Sequence, residues 1–456
     1  MSGNDNGRDL AAIIAGGSHD IRLRRRWADS RIIRKAIGYA ERGAYVSLKI
    51  IRAADDEVDD NKFLMPVFGN LSSLDLQLFY MLRERRIPRV VAVVSGEGKM
   101  KAEAVGAFTD SMERLRIVSE PNPTGFFKTH KVALDDLRDL PDEARIGFVA
   151  LDTPLAYDLT DMLHREEPFD GIYMDCNARE NVFSSGKELF NRNWYFIIKT
   201  REGNVVHAKE CNRWEYNLGR LRGSLKQVET NSGHSVIYGN REAGNVISSR
   251  FLWNMIKLLP SRVVDNPELA AKFLSKGLPA YWAYYRGNRS GRKFGGEAVI
   301  DVEKTEYLAG FVLGMPVRLE FKNTDLALVR DIDDRYDRDY YHLIFDAAVE
   351  RYGGVREAFI HLIPNGEELY ELDKEMRKIN LKIPMLDNFP AHENKRRQQL
   401  REVLRDYGRM HGRGYDLEIR DAFDSDGIFI GQHSKGDDII GSLDYFVEKA
   451  ARFRNA

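Results

Sequence analysis

Short apolar segments alternate with longer amphipathic segments over the first third of this 456-residue chain. Between two of the apolar segments, residues 71–85 carry leucines and a methionine at helical spacing, which predicts a helix. Such alternation is typical of repeated βα units, and these units build a largely parallel sheet covered by helices. We therefore predict strands at Leu10–Ala15, Val90–Val94, Arg116–Val118 and Ile146–Leu151.

The pattern changes after residue 170. Trp194–Lys199 and Val205–Ala208 flank a glycine-containing turn at 200–204, which predicts a β-hairpin whose antiparallel strands join an edge of the sheet. Residues 95–98 contain two glycines and are predicted to be a loop. Further helices are predicted at Ala102–Met112, Asp135–Leu140, Leu159–His164, Phe251–Leu259, Pro267–Leu274, His392–Arg409 and Ile440–Phe453, and further strands at Val317–Phe321 and Leu326–Val329.

Charge and cysteine content exclude several classes of protein. Lys and Arg number 69 against 70 Asp and Glu, so we expect no long nucleic-acid partner, which usually requires a strong basic field. The two cysteines provide neither a disulfide framework nor a zinc cluster, and a reducing cytoplasm fits this composition. The N-terminus is polar and the first apolar run, Leu10–Ala15, is too short for a signal peptide, so we expect no secretion. No run approaches the ~20 apolar residues that a membrane-spanning helix needs, so we expect no membrane insertion.

A glycine pair at the end of the first predicted strand is the first candidate site. Gly16 and Gly17 follow Ala15 and precede Ser18, with Arg22 a few residues later. Glycines here let backbone N–H groups approach phosphates closely, and a nearby arginine can neutralise phosphate charge. A glycine pair after a strand is more often a simple tight turn, and that alternative stays open on loop chemistry alone.

A lysine precedes the helix predicted at residues 71–85. Lys62 begins the segment Lys62–Asn70, where a fixed ammonium group could stabilise charge that develops on transferring phosphate oxygens. The alternative is an ordinary solvated lysine, which is the commoner role.

Two acidic segments are candidates for cation binding. Asp152 follows a fully apolar run that is typical of a buried central strand, and ligands of open α/β sheets bind where such strands end. Asp331 and Asp333 alternate after a later strand, which places both carboxylates on one side. Mg²⁺ binds through one or two carboxylates together with phosphate oxygens. The alternatives are a helix cap for Asp152 and a solvent-exposed acidic turn for Asp331–Asp337.

These four segments, in this order, resemble the nucleotidyltransferase family with a glycosyltransferase-A-like fold. That family includes molybdenum-cofactor nucleotidyltransferase-like and sugar-phosphate nucleotidyltransferase-like proteins. Residues 15–23 are similar to its opening A-G-G-x-G-x-R-[LM] element, and residues 62–74 to its K-x-L-x-P-x-x-G-x-P-x-[IL] element. Leu151–Leu155 resembles the metal-binding [GL]-D-x-P-[LF] element, and Asp331–Asp337 the closing D-[VI]-D-x-x-x-D element. The opening element lacks the family's third glycine, and Asn70-Leu71-Ser72 replaces a Gly/Lys-Pro pair.

The resemblance implies an α/β fold with a Rossmann-like mixed, mainly parallel sheet flanked by helices, of the nucleotide-diphospho-sugar transferase type. It implies a flexible N-terminus at residues 1–9 and a nucleotidyltransferase-like domain at 10–344, with an insertion at about 24–60. A small α+β C-terminal appendage would occupy residues 345–456. Within it, we expect the segment Tyr415–His433 to have a structural role or to form a homodimer contact.

The resemblance also implies a role for each candidate residue. The nucleotide-binding residues would be Ala15, Gly16, Gly17, Ser18, Arg22, Lys62 and Gly125. The Mg²⁺ ligands would be Asp152 with Asp331 or Asp333. The residues acting on the reacting phosphates would be Lys62, Arg22 and Asp152.

The function implied is Mg²⁺-dependent transfer of a nucleotidyl group from a nucleoside triphosphate to a phosphorylated small molecule, such as a sugar phosphate, with release of pyrophosphate. A glycosyltransferase that uses a nucleotide sugar is an alternative, because the same architecture supports both activities. Such an enzyme would ordinarily have D-x-D at the metal site, whereas Thr153 and Pro154 follow Asp152 here. A degenerate nucleotide-binding scaffold is a third interpretation, favoured by the altered opening loop.

Overall fold

The structure, a computed structural model, describes residues 10–16, 63–94, 96–119, 126–151, 153–155, 157, 159–163, 171–179, 196–223, 249–289, 299–323, 335–383 and 437–455. The strands are β1 (Leu10–Gly16), β2 (Pro66–Phe68), β3 (Leu71–Ser72), β4 (Val90–Val94), β5 (Leu115–Ser119), β6 (Arg145–Ala150), β7 (Ile172–Arg179), β8 (Phe196–Lys199), β9 (Val205–Asn217), β10 (Ile300–Asp301) and β11 (Val317–Asn323). The helices are α1 (Ser73–Arg83), α2 (Gly96–Phe108), α3 (Phe126–Asp136), α4 (Thr160–Leu163), α5 (Ser249–Asp265), α6 (Pro267–Lys272), α7 (Leu278–Arg289), α8 (Val302–Leu313), α9 (Arg335–Tyr352), α10 (Val355–Leu362), α11 (Gly366–Asn380) and α12 (Asp437–Asn455). A short π-helical segment, Phe273–Gly277, joins α6 to α7.

Nine of the described strands form one mixed, mainly parallel sheet. β1 is parallel to β4 on one side and to β6 on the other, and β5 continues the parallel order beyond β4. All five residues of β4 are buried, as expected for a strand covered on both faces. Ala92 of β4 packs in one hydrophobic cluster with α1 and α2, whereas Val91 packs in a second cluster with α3. The predicted α/β fold class is therefore confirmed.

Strand β9 connects the parallel part of the sheet to the rest of it. β9 is antiparallel to β6, β7 and β8, while β11 pairs in parallel with β7 and β10 in parallel with β8. The predicted hairpin is confirmed, because β8 and β9 pair across the turn at 200–204. As predicted, the hairpin joins an edge of the parallel part of the sheet, because β9 pairs with β6. β9 spans 13 residues and also pairs with β7 and β8, so it is an interior strand of the whole sheet.

The sequence predicts β9 only from Val205 to Ala208, because charged residues occupy the second half of the strand. Arg213 forms an ion pair with Asp175 of β7 at 2.6 Å, and both side chains are almost fully buried. Glu215 pairs with Arg145 of β6 at 2.8 Å. Charges can occupy the interior of a sheet when they are paired, and these partners lie far away in sequence.

Two predicted boundaries differ from the observed helices. Gly98 belongs to α2 rather than to a loop. A Cβ at this position would lie 2.8 Å from Cβ of Val94. The glycine therefore permits close packing of α2 against β4. Helix α3 ends at Asp136, and residues 137–140 form tight turns instead of the predicted helix. The predicted helix His392–Arg409 and strand Leu326–Val329 lie outside the described residues.

The C-terminal helices share a hydrophobic core with the segment that precedes and includes α1. Phe68 of β2 contacts Tyr341 and Phe345 of α9, with ring centroids 5.9 Å and 5.6 Å apart. Phe359 of α10 and Phe446 of α12 belong to the same cluster. The predicted boundary between the two domains, at residue 344, falls inside α9. The division of the chain into these two domains stays a prediction.

A buried ion pair joins α1 to α2. Lys101 Nζ lies 2.8 Å from Asp75 Oδ2, and both side chains are fully inaccessible to solvent. Asp75 also accepts hydrogen bonds from the N–H and hydroxyl of Ser72, the N-cap residue of α1. The first turn of α1 is thus capped and tied to α2 by the same carboxylate.

The network continues from Lys101 into the C-terminal helices. Lys101 Nζ donates to Asn380 Oδ1 of α11 at 2.8 Å, and Asn380 Nδ2 donates to the carbonyl of Asn70 at 2.9 Å. The N–H and the Nδ2 of Asn70 in turn donate to the carboxylate of Asp373. Helix α11 is therefore joined by hydrogen bonds both to α2 and to the turn that precedes α1. No described helix is both long and apolar enough to cross a membrane.

Removal of one partner of the buried pair tests this network. Lys101→Met is expected to lower the free energy of unfolding by about 3–5 kcal/mol, because it leaves Asp75 buried without its counter-ion. Urea unfolding followed by circular dichroism measures the loss. The matched control is Lys378→Met, which removes an exposed pair with Glu375 and should have little effect. Equal losses in the two variants would contradict a structural role for the buried pair.

Candidate functional site

The carboxyl ends of β1 and β6 lie side by side. Gly16, the last residue of β1, pairs with Ala150, the last residue of β6, and the N–H of Leu151 donates to the carbonyl of Gly16 at 3.4 Å. Val93 of β4 pairs with Gly16 on the opposite side. Ligands of open α/β sheets bind at the carboxyl ends of the strands, so the sheet places the candidate site beside Gly16 and Ala150.

Two of the predicted site residues lie among the described residues. Ala15 and Gly16 are both buried at the end of β1. The others lie outside the described residues, and their placement stays a prediction: Gly17, Ser18, Arg22, Lys62, Gly125, Asp152, Asp331 and Asp333. The structure does bring together Gly16 and Leu151, which are the chain neighbours of Gly17 and Asp152.

Helix α1 holds the turn on both sides of position 152. The hydroxyl of Ser73 donates to the carbonyl of Leu151, and Nε2 of Gln77 donates to the carbonyl of Thr153. The hydroxyl of Thr153 closes the turn by donating to the carbonyl of Ala150 at 3.0 Å. Ser73, Gln77 and Thr153 are all buried. These hydrogen bonds fix the backbone on either side of Asp152.

The helix-capping alternative for Asp152 does not fit the observed boundaries. The next helix, α4, begins at Thr160. An N-cap side chain hydrogen bonds to N–H groups two or three positions further along the chain. Asp152 is therefore too far along the chain from α4, the next described helix, to be its N-cap, and its role in cation binding stays a prediction.

Sequence reasoning missed Ser73 and Gln77. The leucine spacing of residues 71–85 predicts a helix with one apolar face, but every residue from Ser73 to Leu82 is buried. Polar side chains in a helix that is buried on all sides must find partners inside the protein. The signal available in the sequence was the insertion of Ser73, Asp75 and Gln77 into an otherwise apolar segment.

The turn at Gly69 and Asn70 lies within the segment that begins with Lys62. Gly69 has a φ of +55°. The backbone N–H and the side-chain Nδ2 of Asn70 both donate to the carboxylate of Asp373 on α11. Burial raises the pKa of the Asp373 carboxyl above its ordinary value, and the Asn70 donors act in the opposite direction. The C-terminal helices thus set the position of the chain that follows Lys62.

Comparison with known proteins gives structural likenesses only. No protein-family model matches the chain, and neither does any curated protein. A hypothetical transferase from Thermus thermophilus is similar at 13% identity and a TM-score of 0.39, over 72% of this chain and 99% of that one. The 4-diphosphocytidyl-2C-methyl-D-erythritol synthase from Anaerococcus prevotii is similar at 8% identity and a TM-score of 0.33, over 75% of this chain and 100% of that one. Likenesses at these identities and TM-scores assign neither a family nor an activity to the chain.

The contact between Gly69 and Asp373 can be tested by adding a single methyl group. A Cβ at position 69 would lie 2.4 Å from Asp373 Oδ1, whereas a Cβ at Gly353, where φ is +79°, meets nothing within 4 Å. Gly353→Ala should therefore lower the free energy of unfolding only by its backbone strain, about 1–2 kcal/mol. Gly69→Ala should lower it further, because Asp373 is also displaced from Asn70. Thermal unfolding of both variants measures the difference, and equal losses would contradict the contact.

Proposed function

We propose that this protein transfers a nucleotidyl group from a nucleoside triphosphate to a phosphorylated small molecule, such as a sugar phosphate, and releases pyrophosphate. The observation that carries the proposal is the pairing of Gly16 with Ala150. Because these two strands end together, the glycine loop and the Asp152 turn leave the sheet from adjacent positions. Triphosphate-binding and metal-binding groups are needed side by side for this chemistry.

The glycine loop would bind the triphosphate. Backbone N–H groups at Gly16, Gly17 and Ser18, next to Ala15, can approach phosphate oxygens closely because the glycines carry no side chain. The guanidinium of Arg22 would add two parallel hydrogen bonds to phosphate, and Lys62 would bridge neighbouring phosphates as a compact cation. Gly125 would contact the base.

The residues around position 152 fit a hard divalent cation. Asp152 is the one acidic residue of the segment 150–155, and a carboxylate is a suitable ligand for such a cation. Asp152, with Asp331 or Asp333, would hold Mg²⁺, which prefers oxygen ligands and retains positions for phosphate oxygens. When bound, Mg²⁺ would neutralise charge on the phosphates and orient them.

The reaction needs no nucleophilic side chain. A phosphate oxygen of the acceptor forms a bond to the α-phosphorus, and the bond from the α-phosphorus to the oxygen that bridges it to the β-phosphorus breaks. Pyrophosphate carries that oxygen and the electron pair away. The protein contributes in-line positioning of the two substrates and stabilisation of the negative charge by Lys62 and Arg22.

Ligand-dependent thermal stability tests the proposal. Unfolding is followed with each of the four common ribonucleoside triphosphates, with and without Mg²⁺. A triphosphate at 100 times its Kd should stabilise the native protein by about 2.7 kcal/mol, because it binds only the folded state. We expect one triphosphate to stabilise the protein only with Mg²⁺, and Asp152→Ala to abolish this shift. Asp346→Ala, at an exposed carboxylate on α9, is the matched control and should keep the shift.

The same titration, repeated with nucleotide sugars, distinguishes the alternatives. Stabilisation by nucleotide sugars but by no triphosphate would contradict the proposal and favour a glycosyltransferase. Triphosphate binding without pyrophosphate formation, across a screen of phosphorylated acceptors, would favour a degenerate binding domain.

A further inference from the structure

We infer that Ser73 and Gln77 are positioning residues for Asp152, and that α1 acts as a clamp on the backbone to either side of it. The inference rests on the proposed function, because it assigns these side chains to the geometry of the proposed metal ligand. Gln77 lies outside the four segments that carry the family resemblance. Ser73 lies within residues 62–74, but it is not one of the residues to which the resemblance assigns a role.

The spacing of the two donors suits a single target. Ser73 and Gln77 are four positions apart on α1, so they lie on the same face of the helix, one turn apart. Their acceptors are the carbonyls of Leu151 and Thr153, the residues that flank Asp152 in the chain. Two hydrogen bonds from one helix thus hold the Leu151–Asp152 peptide group and the Thr153–Pro154 peptide group, which lie on the two sides of residue 152.

The clamp is itself anchored on the opposite side of α1. Asp75 lies between the two donors in sequence, which places it on the other side of the helix, where it binds Lys101. Because Lys101 also binds Asn380, α1 is held against α2 and α11 while it contacts the Asp152 turn. Rotation or sliding of α1 would break the buried ion pair and both donor contacts together.

The C-terminal helices support the continuation of the same turn. The ring of Tyr157 lies 5.1 Å from that of Tyr80 on α1 and 5.6 Å from that of Phe453 on α12. Lys449 of α12 lies over the Tyr157 ring at 4.8 Å. Tyr157, five positions after Asp152, is thus packed between α1 and α12.

A polar side chain at the buried position 77 supports a role for the hydrogen bond from Gln77 to Thr153. Gln77 is 1% exposed, and its Oε1 has no hydrogen-bond partner among the described residues. An unsatisfied buried acceptor lowers stability, whereas a methionine of similar length would fill the space without that penalty. Local features that lower stability are expected chiefly where function requires a defined geometry.

Substitution of the two donors tests the inference. Gln77→Met and Ser73→Ala remove one donor each with little change in shape, and Ser73→Thr keeps a hydroxyl. The first readout is the Mg²⁺ concentration that gives half of the thermal shift with the selected triphosphate. We expect it to rise about tenfold in Gln77→Met and Ser73→Ala, because residues that orient metal ligands typically alter metal affinity 10- to 100-fold. Ser73→Thr should restore much of the wild-type value.

A matched control separates positioning from general destabilisation. Ser111 is a buried serine in the turn between α2 and β5, and its hydroxyl donates to the carbonyl of Thr109 at 3.0 Å. It also lies 3.4 Å from the carbonyl of Leu82, at the end of α1 opposite to Ser73. Ser111→Ala should lower thermal stability much as Ser73→Ala does, but it should leave the Mg²⁺ requirement unchanged.

Amide hydrogen exchange provides a second readout that requires no nucleotide. Peptides covering residues 148–157 should exchange faster in Gln77→Met and Ser73→Ala than in Ser111→Ala. Wild-type Mg²⁺ requirement and wild-type exchange in both donor variants, with the shift still lost in Asp152→Ala, would overturn this inference alone. A wild-type protein with no Mg²⁺-dependent triphosphate shift would overturn both the proposed function and the inference.

Discussion

The parallel pairing of β1 with β4 and β6 is the constraint on which the rest of the structure depends. Ala12 of β1 packs in one hydrophobic cluster, while Ile13 and Ala15 belong to the cluster on the other side of the sheet. A shift by one residue would exchange these faces, so burial on both sides fixes the register of β1. The register in turn places Gly16 opposite Ala150, and with it the start of the glycine loop beside the start of the Asp152 turn. The candidate site is therefore a consequence of how the sheet is packed.

Helix α1 connects this sheet edge to the C-terminal third of the chain. It is buried on all sides, and its polar residues face different neighbours: Asp75 binds α2, while Ser73 and Gln77 bind the turn that follows β6. Since α9–α12 pack against the same core, the described C-terminal helices complete the interior around α1. A chain without them would expose much of this core.

The parallel half of the sheet could be predicted from the sequence because continuous apolar runs such as Val90–Val94 need no distant partner to be recognised. The second half of β9 could not, because Arg213 and Glu215 are compatible with an interior strand only through their partners on β7 and β6. The candidate site divides in the same way. Gly16 and Asp152 come directly after apolar runs, so the sequence alone predicts that both lie at the carboxyl ends of strands. Ser73 and Gln77 donate to backbone carbonyls 78 and 76 positions away. Every residue has a backbone carbonyl, so the sequence does not indicate which one accepts the hydrogen bond.

The central claim is that the glycine loop and Asp152 belong to one nucleotide site. A double-mutant cycle tests it most directly, with the affinity for the selected triphosphate at saturating Mg²⁺ measured by calorimetry for the wild type, Arg22→Ala, Asp152→Asn and the double variant. The account predicts that each single variant weakens binding and that the double variant loses less than the sum of the two, because both groups act on the same phosphates. Wild-type affinity in Asp152→Asn, or strictly additive losses, would contradict a single shared site.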